Sequence, residues 1–258
     1  MKQKVTIVKV GGAIVEDPAK LAQFLQNFST IKGNKLLVHG GGRRATKIAA
    51  ALGIESKMVN GRRITDAGML EVVTMVYGGL VNKNIVACLQ AGGVNALGLT
   101  GADMDVIRSR KRPLKDGIDF GFVGDVESTD GARLKDLIEQ SITPVMAPLT
   151  HDGQGNMLNT NADTIASEVA KVMSKFYDVT LIYCFEKPGV LADPDDNNSV
   201  IPTITQVDFE RYVAQGVIAG GMIPKIENAL RAVKAGVSRV IITLATAMDG
   251  EQGTVIKA

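Results

Sequence analysis

Lys35-Leu-Leu-Val-His39-Gly40-Gly-Gly42-Arg-Arg-Ala45 is the stretch that decides the fold. A short apolar run stops at three consecutive glycines, and helical spacing begins at once, with Ala45, Ile48, Ala49 and Leu52 on one side. The reading is a strand, a turn without Cβ atoms and a helix N-terminus. Such a turn leaves backbone N–H groups free beside the positive end of the helix dipole, where anions bind readily. A second glycine turn, Gly11-Gly12, ends the first predicted strand (residues 5–10), and that strand carries Lys9. Two anion-receiving turns on successive strands point to one site for two negatively charged groups.

Outward from these turns, the pattern repeats. Asp17-Pro18 reads as N-cap and first helical residue, followed by Leu21, Phe24, Leu25 and Phe28 on one face. Asn60-Gly61 is a hairpin signal between residues 57–59 and 62–64. Thr65 is placed to cap a long helix with Met69, Val72, Val76 and Leu80 on a common stripe, and its Gly78-Gly79 pair is a candidate dimer surface. Strands are predicted at 96–99, 143–149, 179–183 and 239–243, with helices near 132–140, 162–176, from Asp208, and 225–235. Residues 106–126 read as antiparallel hairpins. Strands alternating with helices predict an α/β fold, a mainly parallel central sheet covered by helices on both faces. The expected division is near residue 178, into a lobe of residues 1–178 and a lobe of residues 179–258.

Composition narrows the function classes. A net charge of +2 on 258 residues gives no global field to attract nucleic acid or a membrane surface. The basic run Arg108-Ser-Arg-Lys-Arg112 has no interleaved aromatics and reads as a solvated hairpin. Cys88 and Cys184 sit in apolar runs without metal-ligand spacing and are expected in the core. With His39 and His151 as the other soft donors, no zinc site is expected. No signal peptide and no apolar run of membrane-spanning length is evident, so the expected location is cytoplasmic.

Three constellations carry chemistry. Lys9, one residue before a glycine turn, can aim its ammonium at whatever the turn binds, although a strand lysine more often marks an edge. Asn159-Thr-Asn161-Ala-Asp163 places two amides and a carboxylate at a helix start, where Asn161 or Asp163 also suits an N-cap. Gly220-Gly221-Met-Ile-Pro224-Lys225 sets a lysine near a helix N-terminus, unfavourable with the dipole unless an anion compensates it. Two lysines, glycine turns and one carboxylate suit phosphoryl transfer, in which a protein mainly positions reactants and neutralises charge. No Gly-x4-Gly-Lys-Ser/Thr loop and no nucleophile–base pairing is present. Gly40-x-Gly42-x-x-Ala45 satisfies a dinucleotide fingerprint, but it follows the second strand and no acid lies at the expected distance beyond it.

Five ordered motifs, Val8-Lys-Val-Gly-Gly12, Val38-His-Gly-Gly-Gly42, Asn60-Gly-Arg-Arg-Ile-Thr65, Asn159-Thr-Asn-Ala-Asp163 and Gly221-Met-Ile-Pro-Lys225, resemble the amino acid kinase family nearly end to end. Within it they are most similar to members that phosphorylate an N-acylated glutamate in arginine biosynthesis. The resemblance implies a three-layer αβα sandwich with the acylamino acid on the N-terminal lobe and ATP on the C-terminal lobe. It implies Lys9 and Lys225 on the transferring phosphoryl group, with Asp163 orienting them. Gly41 and Gly42 would hold the acceptor carboxylate, Arg63 the α-carboxylate and Asn159 the amide of the acylated nitrogen. ATP would lie near residues 186–191 and 217–219, with Gly11, Gly12, Glu186, Gly189, Leu191 and Gly221 as nucleotide contacts and Mg²⁺ bridging the phosphates. No side chain is assigned as a metal ligand. Family members usually carry a Thr-Asp-like pair where this chain has Phe185-Glu186. The chain begins directly at its first strand, which implies a homodimer without arginine feedback. Acetyl and succinyl acyl groups both fit, and a sibling kinase for aminoadipate, carbamate, aspartate or glutamate, or a non-catalytic sensor, are the alternatives.

Overall fold

The computed structural model describes residues 2–59, 61–114, 116–248 and 252–257. Asn60, the first residue of the hairpin signal, lies outside them, but Met58–Val59 and Arg62–Arg63 pair antiparallel on either side of it. Among the described residues the central sheet has eight strands, ordered Thr203–Ile204, Thr254–Ile256, Arg239–Leu244, Asp178–Phe185, Lys4–Val10, Asn34–His39, Thr143–Met146 and Ala96–Leu99. The six strands from Arg239–Leu244 to Ala96–Leu99 are parallel, and Thr254–Ile256 runs antiparallel beside Arg239–Leu244. Helices cover both faces, giving the αβα sandwich.

Period-two alternation assigns each strand residue to one of two cores. Val5, Ile7, Leu36, Val38, Leu181 and Tyr183 face one layer, where they meet Ile165, Val169 and Met173 of helix Ala162–Met173. Val8, Val10, Leu37, Ile182 and Cys184 face the other, against Phe24, Phe28, Ala45, Val72 and Val76. Lys9 shares the parity of Ile7 and is therefore directed to the first layer. It sits in a central strand, paired on both sides, not at an edge.

Helix Ala67–Ala91 departs from its expected phase. Asp66, not Thr65, caps it by accepting from the Met69 N–H, because the Thr65 hydroxyl is engaged by Asn159. Over Thr74–Val81 the helix widens to π-helical turns, so the buried stripe slips by one residue. Met69, Val72 and Val76 are buried as predicted, but Val81 replaces Leu80, which is exposed. At 25 residues this helix is also long and apolar enough to cross a membrane by length and composition, against the expectation from continuous runs. Its fully buried Val72, Val73, Ile85 and Leu89 pack in the second core, as in an ordinary core helix.

Other boundaries shift for local reasons. The predicted strand 143–149 breaks at Ala147-Pro148, and Leu149–His151 joins a separate four-stranded sheet with Met157–Asn159, Ile107–Lys111 and Gly124–Thr129. The helix expected from Asp208 is Gln206–Ala214, capped by Thr205 in a capping box with Asp208. Helix Ala162–Met173 stops short of the half-exposed Phe176. Cys184 is buried, but Cys88 is exposed on the outer side of helix Ala67–Ala91, correcting its expected core place.

Candidate active site

The site forms where the parallel strands end. Gly11-Gly12 follows the first strand and Gly40–Gly42 the second, and these strands are neighbours. A Cβ on Gly12 would lie 3.6 Å from the Gly41 nitrogen, 3.6 Å from the Gly42 nitrogen and 3.9 Å from the Arg43 nitrogen. Those amides open helix Gly42–Ala51 and have no intrahelical acceptor. Gly41 also must lack a side chain, since a Cβ there would meet the Tyr77 ring at 2.9 Å. The turn is thus a cradle of N–H donors with room for an anion.

Behind the cradle stands a buried polar support. His39 Nε2 lies 3.1 Å from Asn82 Nδ2, which also donates to the Val145 carbonyl at 2.9 Å. The amide group therefore makes Nε2 an acceptor and leaves the proton on Nδ1, which donates to the Gly40 carbonyl at 2.8 Å. Burial pushes the His39 pKa down to about 4, so the ring is neutral.

On the opposite face of the sheet, Asn161 caps helix Ala162–Met173 through the Asp163 and Thr164 N–H groups. That frees the Asp163 carboxylate to meet Lys9, with Nζ 2.6 Å from Oδ1 and both residues buried. Tyr183, fully buried, donates to the Asp163 carbonyl at 3.2 Å and fixes this turn from beneath. Lys225, in the first turn of helix Met222–Lys234, faces the same place. Burial lowers its pKa, with Asp163 opposing and Lys9 reinforcing the shift.

One cleft of about 440 Å³ joins these parts. Gly12, Gly41, Gly42, Arg63, Asn159, Asp163, Gly221 and Lys225, all singled out from sequence, line it. Lys9 reaches it through Asp163. Gly11 caps helix Gly12–Glu16 just behind it. Three nucleotide candidates lie apart: Gly189 is packed against Thr254 and Val200, Leu191 bridges to Val200, and Glu186 is near Lys20 at 3.5 Å and Arg43 at 3.9 Å. Glu186 nevertheless spans from the end of its strand to helix Pro18–Thr30 and to the start of helix Gly42–Ala51.

Arg63 is buried, and its terminal nitrogens donate to Ser56 Oγ at 2.9 Å, Gly42 O at 2.9 Å and Thr46 Oγ1 at 2.8 Å. Among the described residues it has no carboxylate within ion-pair distance, and its hydrogen bonds go to neutral oxygens. Asn159 donates to Thr65 Oγ1 at 2.9 Å. Sequence reading missed Tyr77, Arg112, Asn228 and Arg231, which also line the cleft. Arg112 ends the basic run taken as solvated, but it turns inward, 2.6 Å from Asp125 and over the Phe120 ring. Its neighbours Arg108, Arg110 and Lys111 are exposed, as expected of the run. Tyr77 was hidden by the widened helix turn, and no local pattern marks Asn228 or Arg231. The cleft gathers Lys9, Lys225, Arg63 and amide dipoles around a single buried carboxylate, an environment for a polyanion.

Comparison with known proteins agrees with this chemistry. The Amino acid kinase family profile matches residues 4–244. A protein of Bacteroides thetaiotaomicron named acetylglutamate kinase is 69% identical over 257 residues, covering 100% of both chains. The crystal structure of smu.665 from Streptococcus mutans superposes with a TM-score of 0.80 at 29% identity, covering 98% of both chains. Carbamate kinase from Giardia lamblia shares the fold, with a TM-score of 0.68 at 16% identity over 98% or more of each chain: 99% of this one and 99% of that one. Five motifs in order, a glycine cradle beside a lysine–aspartate–lysine group, and a profile match spanning both sides of the cleft carry one conclusion: the chain belongs to the amino acid kinase family.

Proposed function

We propose that the protein transfers the γ-phosphoryl group of ATP to the side-chain carboxylate of an N-acyl-L-glutamate, the acyl group being acetyl as in the names of its relatives. The observation that carries this reading is the convergence of Lys9, Lys225 and Asp163 on a cleft whose other wall is the amide cradle at Gly41 and Gly42. A carboxylate is already ionised near neutral pH, with a side-chain pKa of about 4.3 for Glu, so no general base is required. Its oxygen attacks the γ-phosphorus while the bond to the ADP oxygen breaks, and no proton moves. The barrier is repulsion between two anions, which the cradle amides and the two ammonium groups relieve.

In this reading Asp163 orients Lys9. Arg63 takes the α-carboxylate by exchanging its Ser56 or Thr46 hydroxyl partner for a carboxylate oxygen. The Asn159 side-chain oxygen accepts from the amide of the acylated nitrogen. Residues 1–178 form the acceptor lobe and residues 179–258 the nucleotide lobe, joined through one continuous sheet because Asp178–Phe185 pairs with the first strand. Gly11, Gly12, Gly221, Glu186, Gly189 and Leu191 belong to the nucleotide side. The cleft offers lysines and amides rather than a set of carboxylates, so magnesium would come with ATP and would help offset the phosphate charge. The protein acts as a homodimer through the outer face of helix Ala67–Ala91. That face carries exposed Met75 and Leu80, with open space beyond Gly79 among the described residues. Light scattering at the mass of one chain would refute the dimer.

A hydroxamate assay for acyl phosphate tests the activity, with MgATP and N-acetyl-L-glutamate, N-succinyl-L-glutamate, glutamate or aspartate in parallel. The expected result is signal with an acylated glutamate and none with the free amino acids. Silence with all four acceptors in folded protein would overturn the proposal.

A further inference from the structure

Lys225 poses a positioning problem. Among the described residues its ammonium has neither a hydrogen-bond partner nor a carboxylate within ion-pair distance, whereas Lys9 has Asp163 at 2.6 Å. Two like charges share one buried site with one carboxylate, and Lys9 and Lys225 repel each other. What Lys225 does touch is an aromatic face. Its Nζ lies 4.0 Å from the centroid of the Phe185 ring, and Lys9 Nζ lies 5.3 Å from the same centroid.

The ring is itself held. Phe185 ends its strand on the same face as Lys9 and Tyr183, and its carbonyl accepts from the Ala245 N–H at 3.1 Å. Tyr183, fully buried two residues earlier, lies nearly parallel to it, with ring centroids 6.4 Å apart and planes 8° from each other. An aromatic face attracts a cation through its quadrupole, most strongly where water is scarce. It does so without a formal negative charge. A second carboxylate would hold Lys225 equally well, but it would cancel the positive field and repel an incoming phosphate.

We propose that Phe185 is a positioning residue for phosphoryl transfer: its ring seats the Lys225 ammonium, and secondarily that of Lys9, while leaving both charges available to the phosphate. The inference rests on the kinase reading given above. It assigns to the Phe185 side chain a role in turnover and none in acceptor binding, because the ring touches the lysines and the acceptor cradle lies at the other wall of the cleft.

The test has two arms. In the ligand-free protein, the Lys225 side-chain methylene protons next to Nζ should show the upfield ring-current shift of a group seated on an aromatic face. That shift should vanish in Phe185→Leu; its absence from the wild type overturns the proposal whatever the activity. In the kinase assay, Phe185→Leu should lower kcat by about 10-fold with an unchanged KM for the acceptor, and Phe185→Tyr should restore most of it. Fluorinated phenylalanines at position 185 keep the ring's shape while draining its face of negative charge. The expected result is a stepwise fall of kcat with increasing fluorination at constant Tm. A flat series overturns the proposal even where Phe185→Leu is impaired, because it would leave the ring as packing only. A wild type that shows the ring-current shift but makes no acyl phosphate would overturn the kinase reading and leave the seating of Lys225 established.

Discussion

His39 makes the stability of this protein fall in mild acid by a calculable amount. The imidazole is fully buried against Asn82 and the Gly40 carbonyl, and its pKa is about 4 against an ordinary 6.5. The unfolded chain therefore holds the proton more tightly than the folded one. Stability from this group is complete above about pH 6.5 and declines as the pH drops, until the loss levels off below about pH 4. The full difference corresponds to about 3 kcal/mol at about 1.4 kcal/mol per pKa unit. Between about pH 7.5 and about pH 5 the linkage relation gives a loss of about 2 kcal/mol from His39 alone. The assay is urea unfolding of the wild type and His39→Gln across that range. Glutamine offers an acceptor for Asn82 near the Nε2 position and does not titrate; the donor it lacks for the Gly40 carbonyl lowers its stability by an amount that does not change with pH. Carboxylates and His151 are common to both proteins, so the difference between the two profiles isolates the imidazole. Parallel profiles would refute the reasoning, since they would mean that the buried imidazole takes up its proton as easily as in the unfolded chain.

Other outcomes are equally open to measurement. Lys9→Ala should lower kcat far more than it changes KM, whereas Arg63→Ala should chiefly raise KM for the acylated substrate; steady-state kinetics with an unchanged kcat for Lys9→Ala would remove its catalytic role. Gly189→Ala should cost about 1–3 kcal/mol, because its Cβ would stand 2.8 Å from Thr254 Oγ1 and 2.8 Å from Val200 Cγ1; thermal unfolding checks it. Lys35 donates to the Phe28, Ser29 and Ile31 carbonyls at 3.1, 2.8 and 2.9 Å, closing the end of helix Pro18–Thr30. Lys35→Met should therefore cost about 1–2 kcal/mol in chemical denaturation, and an unchanged midpoint would show that those carbonyls are served by water.

Features governed by neighbours in sequence were legible from sequence. Asp17-Pro18 starts its helix and Gly53 closes the next one at a φ of +73° because a cap and a left-handed turn are local demands. The glycine turns and both lysines came into view for the same reason. Features governed by distant partners were not legible. Lys9 resembles an edge lysine until the strand order is known, and that order depends on pairing with residues near 34 and near 178. Thr65 and Asp66 are both good caps, and Asn159 decides between them by occupying the threonine. Cys88 sits in an apolar run, but only the packing of the whole helix turns it outward.

The widened turns in helix Ala67–Ala91 act as a phase joint. Upstream of the joint, Met69 is set by what the acceptor side requires, the wall of the cleft at Arg63, and Tyr77, within the joint, packs against Gly41. Downstream, Asn82, Ile85 and Leu89 are set by the sheet and by His39. A regular helix would lock the two registers together, so that any change suiting one would rotate the other by about 100° per residue. Because the coil already carries its slack at Thr74–Val81, a one-residue insertion or deletion has a place to be absorbed without unseating both ends. The acceptor wall and the support behind the glycine cradle can then diverge separately, although one helix carries both.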